Sequence, residues 1–99
     1  MSTLERERRD GVEIVRLNRP EARNAMSTEL LEELLAALAE LAADEELRAL
    51  VLSTTTPDAL SAGADVREDL DERGGVHRME RFAELYTALD LFPAPSVAV

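Results

Sequence analysis

Residues 27–41 read STELLEELLAALAEL, and this stretch decides how the rest of the chain is arranged. Its leucines recur at spacings of three and four, which is typical of one apolar stripe along a helix. The stripe consists of Leu30, Leu31, Leu34, Leu35, Leu38 and Leu41. Ser27 or Thr28 can cap free backbone N–H groups, and Glu29 suits the positive end of the helix dipole. The spacing therefore predicts a helix from Ser27 or Thr28 to about Ala43, with its leucines in the core.

Short apolar segments lie on both sides of this helix. Residues 12–17, VEIVRL, are rich in β-branched side chains and predict a strand. The preceding TLERERR can pair with that strand across Asp10-Gly11, a favoured hairpin dipeptide. Residues 48–53, RALVLS, form a nearly continuous apolar run after the helix. We expect this run to be a strand buried on both faces, as in a parallel sheet.

The pattern continues towards residue 99. A second helix is predicted from about Val76 to Leu91, with one apolar face formed by Met79, Phe82, Tyr86 and Leu89. The two prolines of FPAPS end it, and SVAV predicts another buried strand. Strands that alternate with helices in this way indicate the α/β class.

Composition excludes several classes of function. The chain has 99 residues and a formal net charge of −10, which argues against a nucleic-acid partner. No apolar run is long enough for a membrane span, and no signal peptide is recognisable, so no membrane partner is expected. The absence of cysteine from the sequence fits a reducing compartment, and we expect a cytoplasmic location.

Residues 60–66, LSAGADV, hold side chains too small for most chemistry. They follow a predicted parallel strand, and ligands gather at the carboxyl ends of such strands. Gly63 leaves the backbone open to close approach, and Asp65 with Glu68 resembles a capping box for a short helix from about Val66. The N–H of Ala64 would then suit a negative oxygen. A turn of small residues before a capped helix explains the same residues, so a structural turn and an anion-binding loop both stay open at this point.

Three motifs together resemble the crotonase superfamily, the enoyl-CoA hydratase/isomerase family. They are Leu-Asn-Arg-Pro at 17–20, Asn-Ala-Met at 24–26 and Ser-Ala-Gly-Ala-Asp at 61–65. The resemblance runs from about Val12 to Val99. It implies the N-terminal portion of a ClpP/crotonase spiral of strand-strand-helix repeats. On this basis residues 1–99 are expected to be the N-terminal part of one crotonase-like domain, truncated at Val99.

The resemblance also implies a chemistry. Family members hold a thioester carbonyl with two backbone N–H groups, and the first of these donors corresponds to Ala64. The coenzyme A portion of the substrate lies against two segments of the chain. The corresponding residues here are Ala22, Arg23, Asn24, Ala62, Gly63, Asp65 and Arg67. The implied activity is that of a lyase acting on an acyl-CoA, with hydration of 2-enoyl-CoA in fatty-acid or related metabolism as the expected reaction.

Further expectations follow from the same resemblance. The second oxyanion donor and the acid/base carboxylates of the family come after the strand that matches PSVAV, so the 99 residues alone are expected to be inactive. No cofactor is expected, because coenzyme A is part of the substrate, and no metal. A trimer or hexamer is implied for the full-length protein. His77 is interpreted as an exposed histidine at a helix start rather than a proton carrier. The alternative is a non-catalytic acidic module that binds a partner through its leucine-rich helix.

Overall fold

A computed structural model describes residues 3–19, 27–55 and 72–98. The described residues form the strands and helices β1 (Leu4–Arg9), β2 (Val12–Leu17), α1 (Thr28–Ala42), β3 (Ala49–Thr54), α2 (Glu72–Asp90) and β4 (Ser96–Ala98). The strands form one sheet in the order β1-β2-β3-β4. Strand β1 is antiparallel to β2, whereas β2, β3 and β4 are parallel. The predicted α/β class is confirmed, because a helix connects each pair of parallel strands.

The hairpin between β1 and β2 depends on two residues with positive φ. Asp10 has φ 50° and Gly11 has φ 82°, which matches the twist of a two-residue hairpin turn. A Cβ atom on Gly11 would lie 2.7 Å from side-chain carbons of Arg48. The Arg48 N–H donates to the Gly11 carbonyl at 2.7 Å, so the turn also contacts the start of β3. The predicted hairpin across Asp10-Gly11 is therefore confirmed.

The core lies between α1 and one face of the sheet. Strand β2 contributes Val15 and Leu17, and β3 contributes Leu50. The α1 stripe is buried along its length, through Leu30, Leu31, Leu34, Leu35, Leu38 and Leu41. The Ser27 hydroxyl accepts a hydrogen bond from the Leu30 N–H at 3.2 Å, which caps the helix as predicted. Each buried leucine contributes about 1.5–3 kcal/mol, so this face supplies most of the apolar stabilisation.

A buried carboxylate joins the hairpin to the end of α1. Glu13 is only 4% exposed, and it accepts hydrogen bonds from Arg6 Nε at 2.7 Å and Arg8 Nε at 2.6 Å. Arg6 also pairs with Glu40, and Arg8 pairs with Asp44. Burial of the Glu13 carboxyl acts to raise its pKa, but hydrogen bonds from Arg8 and Arg6 outweigh burial and hold the pKa below its usual range. Glu13 is therefore a buried anion with two cationic partners.

The burial predicted for the parallel strands is wrong in part. In β3 only Leu50 is buried, and the other residues of the strand are half-buried. The buried cluster that contains the α1 leucines reaches the face of Leu50, so the strand is not enclosed on both sides. Strand β4 was predicted as buried, yet all three of its residues are exposed. It lies at the edge of the described sheet and pairs only with β3.

Helix α2 differs from its predicted form in both extent and orientation. It begins at Glu72, four residues before Val76, so its first turn includes Gly74 and Gly75 despite their weak helix propensity. Leu85 is the buried anchor, whereas Met79 is 73% exposed and Tyr86 is 65% exposed. Phe82 and Leu89 pack against the core as predicted. The buried face of α2 is thus rotated from the predicted one, towards Leu85.

Candidate functional site

The carboxyl ends of β2 and β3 meet at one edge of the sheet. Leu17 and Thr54 are partners in the register of the parallel pair. One residue further, the Thr55 N–H donates to the Leu17 carbonyl at 3.1 Å, and the Thr55 hydroxyl donates to Asn18 Oδ1 at 2.9 Å. Ligand sites of open α/β sheets lie at the carboxyl ends of parallel strands, which makes these strand ends the candidate site.

The beginning of β1 adds polar groups to this edge. The Asn18 N–H donates to the Thr3 carbonyl at 2.8 Å. The Thr3 N–H in turn donates to the Glu33 carboxylate, at 3.2 Å to Oε1 and 3.3 Å to Oε2. Thr3 is buried, and its hydroxyl oxygen has no hydrogen-bond partner within the described part of the chain. These polar groups border the apolar core at the ends of the strands. Helix α1 holds Thr3 in place there through the Glu33 carboxylate.

The residues predicted to bind the substrate fall outside the described residues. Ala22, Arg23 and Asn24 belong to the stretch 20–26, which follows Arg19. The predicted oxyanion donor and the rest of the coenzyme A set belong to the stretch 56–71, which follows Thr55. That second set is Ala62, Gly63, Ala64, Asp65 and Arg67. What the structure does bring together is the pair of residues, Asn18 and Thr55, that shortly precede these two stretches.

A second group of charges connects α1 to α2. The Glu32 carboxylate accepts from Arg81 Nε at 2.8 Å and from Arg81 Nη2 at 2.7 Å, a two-point ion pair. Glu84 also pairs with Arg81, and His77 Nε2 lies 3.6 Å from Glu32 Oε1. The hydrogen bond from Arg81 holds the pKa of the Glu32 carboxyl below its usual range. His77 is exposed as predicted, but it lies inside α2 rather than at its start.

A groove of about 530 Å³ runs between the two helices, next to this ion pair. Its walls are mostly apolar, with Leu35 and Ala39 on α1, Ala88 on α2, and Leu91 directly after α2. Most of the α1 lining lies in the C-terminal half of that helix, which leads towards the start of β3 and away from the Asn18–Thr55 edge. The groove therefore does not coincide with the edge that the sequence singles out.

The described ranges 3–19, 27–55 and 72–98 contain no cluster of three or more histidine, aspartate or glutamate side chains placed to hold a metal ion. Within the same ranges, neither helix combines the length and apolarity that a bilayer crossing requires. The expectations about cofactors, metals and cellular location stay predictions.

Comparison with known proteins gives one family. The family model described as enoyl-CoA hydratase/isomerase matches residues 7–99. A bovine relative, the mitochondrial "enoyl-CoA hydratase domain-containing protein 2", is 36% identical over 90 residues, which is 89% of this chain and 30% of that protein. The chain belongs to the enoyl-CoA hydratase/isomerase family, the crotonase superfamily predicted from its motifs.

Solved structures agree on the fold. An enoyl-CoA hydratase from Mycobacterium smegmatis superposes with a TM-score of 0.91 at 33% identity, over 99% of this chain and 39% of that one. An enoyl-CoA hydratase from Bacillus anthracis gives a TM-score of 0.93 at 25% identity, over 98% of this chain and 39% of that one. The chain therefore has a crotonase-type fold and spans less than half the length of these proteins.

Sequence reasoning missed the contacts that hold this edge together. The spacing of apolar residues predicts neither the bond between Asn18 and Thr55 nor the ion pair between Glu32 and Arg81. The Leu-Asn-Arg-Pro motif was the available signal for Asn18, because an asparagine directly after a buried strand can accept a hydrogen bond from the neighbouring strand end.

Proposed function

We propose that this chain supplies the coenzyme A-binding segments and the first oxyanion donor of an enzyme that acts on an acyl-CoA thioester. The expected reaction is hydration of a 2-enoyl-CoA. The observation that carries the proposal is the match to the enoyl-CoA hydratase/isomerase family over residues 7–99. The meeting of the β2 and β3 ends supports it, because both stretches of predicted substrate residues follow that edge in the sequence.

In the proposed mechanism the backbone N–H of Ala64 stabilises the negative charge that forms during the reaction. Its N–H donates to the thioester oxygen, on which negative charge develops as the enolate forms. A preformed donor of this kind stabilises the transition state by about 2.7–4 kcal/mol. Arg67 and Arg23 are proposed to face the phosphates of coenzyme A, where a guanidinium can make paired hydrogen bonds. Ala22, Asn24, Ala62, Gly63 and Asp65 complete the proposed coenzyme A contacts through small side chains and backbone.

The chain alone is proposed to bind the substrate without turning it over. It spans 30% of the bovine relative, and the second oxyanion donor and the acid/base groups belong, by resemblance, to a part that it does not match. A trimer or hexamer is proposed for a family-length protein. The alternative of a partner-binding leucine helix needs an exposed stripe, whereas Leu30, Leu34 and Leu38 are each no more than 1% exposed.

Titration calorimetry with coenzyme A tests the binding. We expect saturable binding that Arg67→Ala weakens, while Arg73→Ala, an exposed arginine on α2, serves as the matched control. Loss of one charge-assisted contact corresponds to roughly 1.5–3 kcal/mol, or about 10- to 100-fold in Kd. Equal affinities of the Arg67→Ala and Arg73→Ala variants would contradict the assignment of Arg67.

The oxyanion donor is tested in a family-length protein that carries these 99 residues. Ala64→Gly keeps the N–H and should retain most turnover of crotonyl-CoA. Ala64→Pro removes the N–H, and turnover should fall roughly 10²–10³-fold. Thioester affinity should fall less, because the charge on the oxygen grows only in the transition state. A folded Ala64→Pro protein with near-normal turnover would disprove the role of Ala64.

A further inference from the structure

Asn18 and Thr55 are 37 positions apart in sequence, yet their side chains form a hydrogen bond of 2.9 Å where two parallel strands end. We propose that this strand-end hydrogen bond positions the chain for coenzyme A binding, so that Thr55 and Asn18 are positioning residues. The inference rests on the proposed function, because it assumes that the stretches 20–26 and 56–71 supply the coenzyme A contacts.

The bond lies where the pairing of β2 and β3 ends. The regular pairing of these strands ends at Leu17 and Thr54, and the Thr55 N–H adds one further bond to the Leu17 carbonyl at 3.1 Å. Next to this backbone bond, the Thr55 hydroxyl donates a hydrogen bond to the Asn18 side chain. The Thr55 hydroxyl also lies 3.4 Å from the Leu17 carbonyl, a weaker contact that keeps the hydroxyl directed towards β2.

The backbone of Asn18 is fixed by Thr3, the residue directly before β1. Its N–H donates to the Thr3 carbonyl at 2.8 Å, and the Thr3 N–H donates to the Glu33 carboxylate of α1. Asn18 is half-buried, whereas Thr55 is exposed. The Thr55 side chain is held by Asn18 Oδ1 at 2.9 Å and, more weakly, by the Leu17 carbonyl at 3.4 Å, while the backbone of Asn18 is already held by Thr3. Removing the hydroxyl of Thr55 should release its side chain and leave the bond from the Thr55 N–H to the Leu17 carbonyl in place.

The bond between Asn18 and Thr55 lies close in sequence to both sets of proposed coenzyme A residues. The proposed coenzyme A residues begin four positions after Asn18, at Ala22, and seven positions after Thr55, at Ala62. A ligand that contacts two stretches of chain binds more tightly when the residues leading into both stretches are already fixed relative to each other. If either of them is mobile, binding must order it, and the affinity falls. The strand-end hydrogen bond holds the chain shortly before both stretches, two residues before residue 20 and one residue before residue 56.

The experiment measures the Kd of coenzyme A by titration calorimetry on the 99-residue chain, at a temperature where every variant is folded by circular dichroism. Thr55→Val removes the hydroxyl, and Thr55→Ser retains it. Thr87→Val, at an exposed position on α2, is the matched control. We expect Thr55→Val to weaken binding roughly three- to tenfold, the range that one lost hydrogen bond produces, with Thr55→Ser and Thr87→Val within about twofold of the unaltered chain.

A second variant tests the partner. Asn18→Ala removes the acceptor and should also weaken binding. The double variant should bind no more weakly than Thr55→Val alone, since Thr55→Val already removes the bond to Asn18 together with the weaker contact to the Leu17 carbonyl. Rescue by Thr55→Ser is a result that general destabilisation would not produce. If the unaltered chain binds coenzyme A and Thr55→Val binds it equally well, the positioning role is overturned while the proposed function stands. If the unaltered chain does not bind coenzyme A, the proposed function fails, and the positioning role fails with it.

Discussion

Helices α1 and α2 each carry an apolar stripe, but only the stripe of α1 is buried along its length. Its leucines lie in one cluster with Val15, Leu17 and Leu50 of the sheet. Helix α2 packs against α1, and its one residue among the buried core is Leu85, while Val76, Met79 and Tyr86 stay exposed. The difference teaches that helical spacing predicts a stripe, whereas burial depends on what faces it: α1 covers a sheet and α2 covers another helix.

The ionic contacts differ between the two regions in the same way. Glu13, beneath the hairpin, has a side chain that is 5% exposed and bonds two arginines. Glu32, between the helices, has a side chain that is 41% exposed and bonds Arg81. A solvated pair contributes little because water and salt screen it, whereas a buried carboxylate that loses its partners is costly. The region of α1 and the hairpin should therefore carry most of the stability.

The largest expected effect is on the α1 core. Leu34→Ala should lower the free energy of unfolding by about 3–5 kcal/mol, since Leu34 is fully buried and its loss leaves a cavity. Leu91→Ala is the matched control, because Leu91 is 71% exposed, and its effect should stay within about 0.5 kcal/mol. Urea denaturation of both variants measures the difference. Similar losses for the two would show that burial of the α1 stripe is not the source of its stabilising effect.

An intermediate effect is expected from the buried carboxylate. Glu13→Gln should cost about 1–3 kcal/mol at pH 7, because the two arginines lose a charged acceptor. Glu32→Gln, the solvated counterpart, should cost about 0–1 kcal/mol, and less at high salt. Denaturation at low and high salt compares the two variants. A larger loss for Glu32→Gln than for Glu13→Gln would reverse the assignment of stability to the hairpin region.

The same pair of carboxylates predicts how stability depends on pH. The pKa of Glu13 and that of Glu32 both lie below the ordinary value of 4.5. Their stabilisation is therefore complete above the ordinary pKa and is lost as the pH falls through the folded-state pKa. The gap between the unaltered chain and Glu13→Gln should narrow as the solution is acidified. A gap that stays constant from pH 7 to pH 3 would show that the charge of Glu13 is not its source.

The smallest effect is expected in the first turn of α2. A Cβ atom on Gly75 would meet nothing within 4 Å, so Gly75→Ala should stabilise the chain by about 0.5–1 kcal/mol. The gain comes from a less flexible unfolded chain and a better helix former. Thermal unfolding followed by circular dichroism measures it. A lower midpoint for Gly75→Ala would mean that the first turn of α2 needs the glycine for a contact outside the described residues.

Much of the fold could be predicted from local patterns. The α1 stripe, the hairpin across Asp10-Gly11 and the Ser27 cap all involve residues close in sequence, where spacing determines contact. The orientation of α2 could not be predicted, because its spacing fits both a Met79–Tyr86 face and a Leu85 face. Only the packing against α1, with Arg81 paired to Glu32, selects between them. The Leu-Asn-Arg-Pro motif marks Asn18, but its pairing with Thr55 could not be predicted, since that pairing depends on the register of two strands.

The short Asp10–Gly11 turn leads us to expect a particular order of folding. Strands β1 and β2 are joined by two residues, so their pairing closes a short loop, and hairpins of this kind form in about 1–10 μs. The pairing of β2 with β3 must close a loop that includes all of α1, which is slower. The hairpin should thus form first, and β3 should then pair with β2 of the hairpin. A strained turn, such as Gly11→Ala would create, should therefore slow refolding more than it speeds unfolding.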